Sequence, residues 1–298
     1  MEEREFLKKL GLENEKELSE LDQLNKYSLD YDEKNDLFRL SDKDELVVNN
    51  SLSHLSSTQL IQPILFYRDY AKIIITGWRA LLNVAPASDE DSENHEPSWI
   101  KKKIKNGKGT SVDKVMVGES ELIGKETKIT KSDLNIQAGH LLGKFSGVLQ
   151  NIEKYLGTDQ NIDNIMTYPQ FKRANESSKE YSGQSKVESN IWNNRDTCFY
   201  YEAEAIFANI NDNIPIGTRL RVIPVRKNEE DNRQYVIDSD ADEEIAVHIF
   251  IPNCDYAEKG PKSVLKRENT VDDYRTFFKG GDLNSLKWKK ADTPKNNK

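Results

Sequence analysis

The chain has 298 residues, of which 36% are hydrophobic and 32% are charged, and its four Trp, twelve Tyr and ten Phe suffice for at least one hydrophobic core. This composition excludes full disorder. No apolar stretch is long enough to cross a bilayer, the charged N-terminus lacks the apolar segment of a Sec signal peptide, and two cysteines are too few for a disulfide framework.

The formal net charge of −8 is unevenly distributed along the chain. Residues 1–96 carry 11 Lys/Arg and 21 Asp/Glu, a net charge of −10. Residues 97–196 carry 16 and 12, a net charge of +4, and residues 197–298 carry 16 and 18, a net charge of −2. The middle third is therefore the only basic part, and local positive potential, more than the chain total, attracts a polyanion such as nucleic acid.

The N-terminal third is predicted to be helical. Residues 1–50 are acidic and helix-prone, and apolar residues between Ser57 and Leu82 recur at spacings near three and four, which predicts a second helix. Residues 83–97 are rich in Pro, Ser, Asp and Glu, as is typical of a linker. We therefore expect an acidic helical region over residues 1–96 that ends in this linker, a second domain over residues 98–290, and a disordered tail over residues 291–298.

The second domain is predicted to contain an antiparallel sheet. Short β signals occur between residues 115 and 129, and residues 177–192 are compatible with a helix. Alternating or β-branched apolar residues then predict strands over residues 197–207, 218–225 and 245–251. Strands joined by short turns and flanked by helices indicate the α+β class.

One of the four histidines has the setting of a functional residue. The four are His54, His95, His140 and His248. The first two lie in polar segments and are expected at the surface, and His248 lies within a predicted strand, where a structural role is expected. His140 follows Gly139, which lets the backbone approach a partner closely, and precedes two leucines that would anchor the segment while the imidazole faces a cleft.

Polar residues that suit a magnesium ion follow His140 along the chain. Asn164 ends a predicted loop, and Glu188 lies in the predicted helix. Mg²⁺ takes oxygen ligands, few of them from protein, and completes its octahedron with water and substrate phosphate. An Asn carbonyl and a carboxylate that holds a bound water would meet this demand, and a neutral His beside them can accept a proton from the attacking water.

The order of the segments AGHLLG, NIDNI, RAN, EYSGQ and VES resembles the non-specific DNA/RNA endonucleases of the ββα-metal, or His-metal finger, superfamily. It is most similar to bacterial secreted and toxin-associated members. The resemblance covers roughly residues 98–254 and includes, more weakly, the strand that ends at residues 250–253. It implies a ββα-metal nuclease core within the sheet and a metal-dependent, sequence-nonspecific endonuclease, a toxin effector, that hydrolyses phosphodiester bonds of DNA or RNA.

The same resemblance implies roles for individual residues. His140 is then the general base, Asn164 the direct ligand of Mg²⁺ or Mn²⁺, and Glu188 a carboxylate that holds a metal-bound water. The remaining residues expected around the site are Arg173 in catalysis and, for substrate binding, Lys101, Lys102, Lys103, Lys105, Lys172, Asn175 and Gln184. Taken alone, the lysine run at residues 101–105 favours a solvated loop over a loop that contacts phosphates.

The sequence departs from the family pattern at one point. Many relatives have Asp-Arg-Gly-His at the histidine motif, whereas residues 137–140 read Gln-Ala-Gly-His. The arginine that could stabilise phosphate charge in the transition state is therefore absent from this motif. We expect Arg173 or Lys172 to replace it.

Alternatives and partners follow from these features. A catalytically degenerate nucleic-acid-binding module or a protein-interaction module is the alternative function, and a zinc site is disfavoured because neither cysteine has a companion at ligand spacing. A nuclease active in its own cell would damage the genome, so we expect an inhibitor (immunity) protein or export by a specialised secretion system, with the cytoplasm as the alternative location and no membrane partner. The acidic residues 1–96 are expected to act in delivery or docking, or to occupy the basic site before activation.

Overall fold

The computed structural model describes residues 24, 27–34, 37–41, 45–69, 72–84, 136–142, 167–171, 174, 183–207, 215–242, 245–253, 265–266 and 289–290. The strands before the predicted linker are β1 (Leu29–Asp32), β2 (Leu37–Leu40), β3 (Ile61–Asp69) and β4 (Lys72–Leu82), with helix α1 (Glu45–Leu52) between β2 and β3. The next elements are β5 (Ile136–His140), β6 (Thr167–Phe171) and helix α2 (Gln184–Asn193). The remaining strands are β7 (Cys198–Ile206), β8 (Gly217–Lys227), β9 (Tyr235–Ile237), β10 (Val247–Pro252), β11 (Leu265–Lys266) and β12 (Lys289–Lys290).

Eight strands form one sheet in the order β1-β2-β10-β8-β7-β4-β3, with β9 paired to β8. Every pair in this sheet is antiparallel. Two smaller antiparallel pairs, β5 with β6 and β11 with β12, are separate from it. The predicted antiparallel sheet is confirmed, and strands from both sides of the predicted linker share it.

The prediction of a helix between Ser57 and Leu82 is wrong, because residues 61–69 and 72–82 form the hairpin β3–β4. The described part of residues 1–50 contains the strands β1 and β2 and the first residues of helix α1, so the predicted helical N-terminal region is not supported. The segment contains Pro63 and the run Ile73-Ile74-Ile75-Thr76. Proline disrupts a helix interior, and β-branched side chains lose rotamer freedom there but pack well on a pleated surface. A long apolar run also satisfies helical and strand spacings at once, so its periodicity does not separate them.

The predicted strands over residues 197–207, 218–225 and 245–251 are confirmed as β7, β8 and β10, and the helix predicted over residues 177–192 is confirmed as α2 from Gln184 onward. The predicted strands between residues 115 and 129, the linker from residue 85 onward and the tail over residues 291–298 lie outside the described residues.

The two faces of the large sheet differ in what they bury. One face, which we call the site face, carries an apolar core that packs against α2 and the residues after β5. Its members include Trp78, Tyr201, Leu220 and Ile249 from the sheet, with Leu141, Leu142, Val187 and Ile191 from the β5 and α2 segments. Directly paired residues of neighbouring strands lie on the same face of a sheet. The register of β4, β7, β8 and β10 therefore places the four side chains from the sheet on the site face.

The opposite face contains a buried group of charged residues, which we call the ion cluster. Its members are Arg79, Glu202, Glu204, Arg219, Arg221 and His248. Along β7 the cluster lies between two apolar clusters, one that contains Tyr200 and α1 and one that contains Ile206. Four of its members form a single row of direct cross-strand partners from β4 through β7 and β8 to β10.

The ion cluster is internally bonded. Arg219 donates from Nη2 to Glu202, and to Glu204 Oε2 at 2.8 Å, while His248 Nδ1 lies 3.2 Å from Arg221 Nη2. Burial alone would raise the pKa of Glu202, but Arg219 and then Arg79 hold it well below its usual range. Removing a partner of such a buried carboxylate lowers the free energy of unfolding by about 3–5 kcal/mol, because the buried charge is left uncompensated. The cluster is thus a structural element, which agrees with the structural role expected of His248.

Candidate functional site

The candidate site is built by a strand pair followed by a helix, β5, β6 and α2. In the β5–β6 ladder, His140 pairs with Thr167 and Gly139 with Tyr168, so His140 is the last residue of its strand. The unit docks on the site face through a hydrogen bond from Gln170 Nε2 to Thr218 Oγ1 on β8, at 2.7 Å. The docked strand pair therefore brings His140 to the region where α2 packs on the sheet.

Position 139 requires a glycine because the Gln170 side chain of the paired strand approaches its backbone closely. A Cβ atom added to Gly139 would lie 1.8 Å from Oε1 and 2.4 Å from Cδ of Gln170, far inside van der Waals contact. The Gln170 side chain is fully buried and is held by its bond to Thr218, so it has little freedom to move away. The close backbone approach predicted at Gly139 is confirmed, and its partner is an amide side chain of the neighbouring strand.

The two residues after His140 anchor it to the core. Leu141 and Leu142 are both 0% exposed, whereas His140 is partly exposed. The Tyr201 hydroxyl of β7 donates to the Leu141 carbonyl oxygen at 2.8 Å, and burial raises the pKa of that hydroxyl well above its usual value, so it stays a donor. The predicted leucine anchor is confirmed, and it places His140 at the boundary between core and solvent.

The side chain of Gln184 connects His140 to Glu188. Its Nε2 donates to the carbonyl oxygen of His140, lies 3.3 Å from the carbonyl oxygen of Leu141, and donates to Glu188 Oε1 at 3.0 Å. All of these partners are acceptors, so the amide must present its nitrogen to them. One buried amide, only 1% exposed, therefore holds the end of β5 beside the first turn of α2.

Gln184 was predicted from the sequence to bind substrate, and that role stays a prediction. In the structure its side chain is buried and bonded to two backbone carbonyls and to the Glu188 carboxylate. These bonds suit a residue that holds His140 and Glu188 relative to each other. The sequence places Gln184 and Glu188 four residues apart, which on a helix puts them on neighbouring turns of one face.

Glu188 lies at the margin of the buried region. Burial raises the pKa of its carboxyl, and the hydrogen bond from Gln184 opposes that rise. One carboxylate oxygen, Oε1, accepts from Gln184. The structure thus brings together three of the residues predicted from the sequence, namely His140, Gln184 and Glu188.

The carboxylate of Glu188 is an oxygen donor of the kind that Mg²⁺ and Mn²⁺ accept together with several waters. Within the described part of the chain, no group of three or more His, Cys, Asp or Glu side chains could hold a metal. Asn164, the direct metal ligand predicted from the sequence, lies outside the described residues.

The other predicted site residues lie outside the described residues. They are Lys101, Lys102, Lys103, Lys105, Asn164, Lys172, Arg173 and Asn175. Ala174, which lies between Arg173 and Asn175 in the sequence, is described and is buried in the core of the site face.

Two residues at the end of α2 are not among those predicted from the sequence. Trp192 is 46% exposed and is the large hydrophobic side chain that stands out of the surface in the described ranges. The guanidinium carbon of Arg195 lies 3.5 Å from the centre of the Trp192 ring. Trp192 follows Glu188 by four residues, a spacing that could have marked it as a neighbour of the predicted carboxylate.

None of the helices in the described ranges is long and apolar enough to cross a membrane. No protein-family profile and no curated protein matches the chain.

Several solved nuclease structures are similar in part. Magnesium-bound NucA of Streptococcus agalactiae has a TM-score of 0.42 and 14% identity, over 82% of this chain and 92% of that chain. An extracellular endonuclease has a TM-score of 0.30 and 14% identity, over 71% and 92%. Zinc-bound Sda1 nuclease has a TM-score of 0.33 and 12% identity, over 81% and 95%.

Proposed function

We propose that the chain is a metal-dependent endonuclease that hydrolyses phosphodiester bonds of DNA or RNA without sequence specificity. The observation that carries the proposal is the Gln184 amide, which bonds both the His140 backbone and the Glu188 carboxylate. A buried amide in this position fixes a candidate base and a candidate carboxylate relative to each other before substrate arrives. Such preorganisation is what a hydrolytic site requires.

In the proposed mechanism His140 is the general base. It takes a proton from a water molecule while the water oxygen bonds to phosphorus and the bond from phosphorus to the leaving oxygen breaks. Glu188 orients water in the site through its carboxylate. Asn164 would hold a Mg²⁺ or Mn²⁺ ion directly, and the ion would stabilise the negative charge that develops on the phosphate. Arg173 or Lys172 is proposed to add positive charge in place of the arginine that is absent from the histidine motif.

Substrate attraction is proposed to come from the basic middle third of the chain, net +4 over residues 97–196. Within it, the four lysines at residues 101, 102, 103 and 105 are proposed to contact phosphates, with Asn175 nearby. Their replacement by alanine is expected to weaken binding equally for all sequences and to flatten its salt dependence. An unchanged salt slope would show that this run is a solvated loop.

The proposed biological setting is that of a toxin effector. An unspecific nuclease endangers the cell that makes it, so we propose an inhibitor protein that binds the site and export by a specialised secretion system. Because β2 and β4 are inner strands of the large sheet, we propose that the described part of residues 1–96 supports the fold and does not occupy the basic site as a separate module.

The proposal is tested by incubating the full chain with plasmid DNA and with RNA, in Mg²⁺, in Mn²⁺ and in excess chelator. We expect cleavage only with metal. His140→Ala is expected to lower the rate by about 10²–10⁴-fold, as loss of a general base does, while binding of nucleic acid persists. Glu188→Gln is expected to lower it as well, and added metal is expected to restore part of the loss.

Matched control variants are available on the surface. His54→Ala removes an exposed histidine, and Glu229→Gln makes the same change as Glu188→Gln at an exposed carboxylate whose partner is Arg226. Both controls should cleave as the wild-type protein does. Equal cleavage in chelator would contradict the metal dependence. Binding without cleavage in either metal would favour the catalytically degenerate binding module.

A further inference from the structure

Trp192 and Glu188 lie on the same flank of α2. The buried residues of the helix are Gln184, Val187 and Ile191, which define its core face. Glu188 and Trp192 are i,i+4 neighbours beside that face, a spacing at which Cβ atoms are about 5–6 Å apart. Helical side chains also lean toward the helix N-terminus, so we expect the Trp192 ring to lean toward the turn that carries Glu188.

The Trp192 ring carries a fixed cation. Arg195 stacks on it at 3.5 Å and donates from Nε to the Trp192 carbonyl oxygen at 3.2 Å. The turn that holds Arg195 is itself tied to the sheet by Asn83, whose Nδ2 donates to the carbonyl oxygens of Asn194 at 3.2 Å and Thr197 at 2.9 Å. Asn83 has a φ of 60°, the left-handed conformation that asparagine tolerates better than most residues. Ring and guanidinium are therefore held in place by the fold.

We propose that Trp192 and Arg195 form a stacking platform for an unpaired nucleobase next to the scissile phosphate. This inference rests on the proposed nuclease function and narrows its substrate to single-stranded or locally unpaired nucleic acid. In a duplex both faces of each base are covered by neighbouring bases, whereas an unpaired base can stack on an aromatic ring. The exposed ring supplies the stacking surface, and Arg195 adds a cation that suits the adjoining phosphate.

The alternative role of the pair is purely structural, since an arginine stacked on tryptophan also covers apolar surface at the end of a helix. The two roles differ in what they require of a ligand. A structural pair is indifferent to nucleic acid, whereas a stacking platform must distinguish a strand with bases from one without them.

The test measures binding to the full chain in chelator, so that it does not depend on cleavage. The probes are a short oligothymidylate and an oligonucleotide of the same length whose sugars carry no bases, and the variants are Trp192→Ala, Trp192→Leu and Trp192→Phe. Alanine and leucine are expected to weaken oligothymidylate binding by roughly 5- to 150-fold, as loss of one aromatic–base stack does. Phenylalanine should retain most of the affinity, and none of the three should change binding of the abasic strand.

Tryptophan fluorescence gives a second readout. Oligothymidylate is expected to quench the tryptophan fluorescence of the wild-type protein by stacking on Trp192, one of its four tryptophans. The Trp192→Phe variant lacks this tryptophan, so its fluorescence should be quenched less. Asn193→Ala, an exposed change on another side of the same helix, serves as the matched control and should bind both probes as the wild type does. Thermal unfolding of each variant reports whether it is folded at the assay temperature.

The outcomes separate the two proposals. Unchanged oligothymidylate affinity in folded Trp192→Ala would overturn the platform, and so would an equal loss of affinity for the abasic strand. Absence of cleavage by wild type with either metal would overturn the nuclease function while leaving the binding result to decide whether the platform exists. With a cleaving enzyme, Trp192→Ala should lower kcat/KM for single strands more than for duplex, and an equal effect on both would contradict the inference.

Discussion

Replacement of Gln184 by methionine tests whether one amide holds the candidate site together. Methionine keeps most of the volume but removes the donors to His140, Leu141 and Glu188. The Leu141 carbonyl keeps its bond from Tyr201, and the partly exposed Glu188 carboxylate can recover water. The main cost is therefore the loss of the hydrogen bonds to the His140 carbonyl and to the Glu188 carboxylate. At about 0.5–1.5 kcal/mol for a neutral hydrogen bond and about 1.5–3 kcal/mol for one to a charged group, we expect a loss of roughly 2–4 kcal/mol.

The expected effect on activity is larger than the loss of stability explains. A domain with the usual 5–15 kcal/mol of stability stays folded after such a loss. Misplacement of a catalytic group by about 1 Å can still cost roughly 10²-fold in rate. Gln184→Met is therefore expected to be folded in urea titrations with a lowered midpoint and to lose about 10²-fold in kcat/KM on nucleic acid.

A matched control separates positioning from stability. Asn253 is also a buried amide, and its Nδ2 donates to the Pro215 carbonyl oxygen at 2.9 Å, at the end of β10 and away from β5 and α2. Asn253→Leu should lose comparable stability and keep its kcat/KM when folded. If Gln184→Met cleaved as fast as Asn253→Leu, the positioning role would be refuted.

The charged variant Gln184→Glu adds a test by pH. A carboxylate among carbonyl oxygens and beside Glu188 is stable only when protonated, so its folded pKa is raised above the unfolded value of about 4.3. By linkage, the free energy of unfolding of this variant is highest below the unfolded pKa and falls as pH rises through the folded pKa. Urea unfolding at several pH values should show that the free energy of unfolding of the variant falls further below that of the wild type as pH rises. A difference that does not change with pH would contradict the contact geometry.

Three further predictions concern the fold that supports the site. Gly139→Ala should cost about 1–3 kcal/mol in thermal unfolding, because its Cβ would meet Gln170 at 1.8 Å, and an unchanged midpoint would contradict that packing. Arg219→Met should cost about 3–5 kcal/mol near neutral pH. The depressed pKa of Glu202 makes its stabilisation present above the unfolded pKa and lost as pH falls through the folded one, so the cost should shrink in acid, as urea titrations will show. A fragment of residues 97–298 should be insoluble or unfolded by circular dichroism, and a soluble fragment with raised activity at low salt would instead support the expectation that the acidic residues 1–96 occupy the basic site.

The strands in the second half of the fold are predictable from sequence because their pattern is unambiguous. In β7, the residues Phe199, Tyr201, Ala203 and Ala205 alternate with polar or charged ones, which is the spacing of a strand with two different faces. The His140 segment is predictable for a similar reason, since a glycine and two leucines around a histidine restrict how it can be packed. In both cases local chemistry and tertiary environment agree.

The hairpin β3–β4 and the role of Gln184 are not predictable in this way. The hairpin is almost continuously apolar, so spacing alone fits a helix and a strand equally well, and its pairing with β7 decides the outcome. Gln184 is polar and lies in a polar segment, where a solvated or substrate-binding side chain is the natural expectation. Its burial follows from the docking of β5 against α2, a contact between residues more than forty positions apart.

The same long-range contacts change how the charge asymmetry between the first and middle thirds of the chain should be interpreted. Residues 1–96 are acidic and residues 97–196 basic, which by itself favours an electrostatic contact between separate modules. In the structure, β4 pairs with β7 along six residues of each strand, and β7 carries the Tyr201 hydroxyl that supports the Leu141 carbonyl. We therefore expect the acidic region to affect the site through the sheet, because removing β4 would expose one edge of β7 and loosen the support of the His140 segment. Weakened pairing of β4 should for this reason lower activity at every salt concentration, whereas relief of an electrostatic contact would raise activity, and only at low salt.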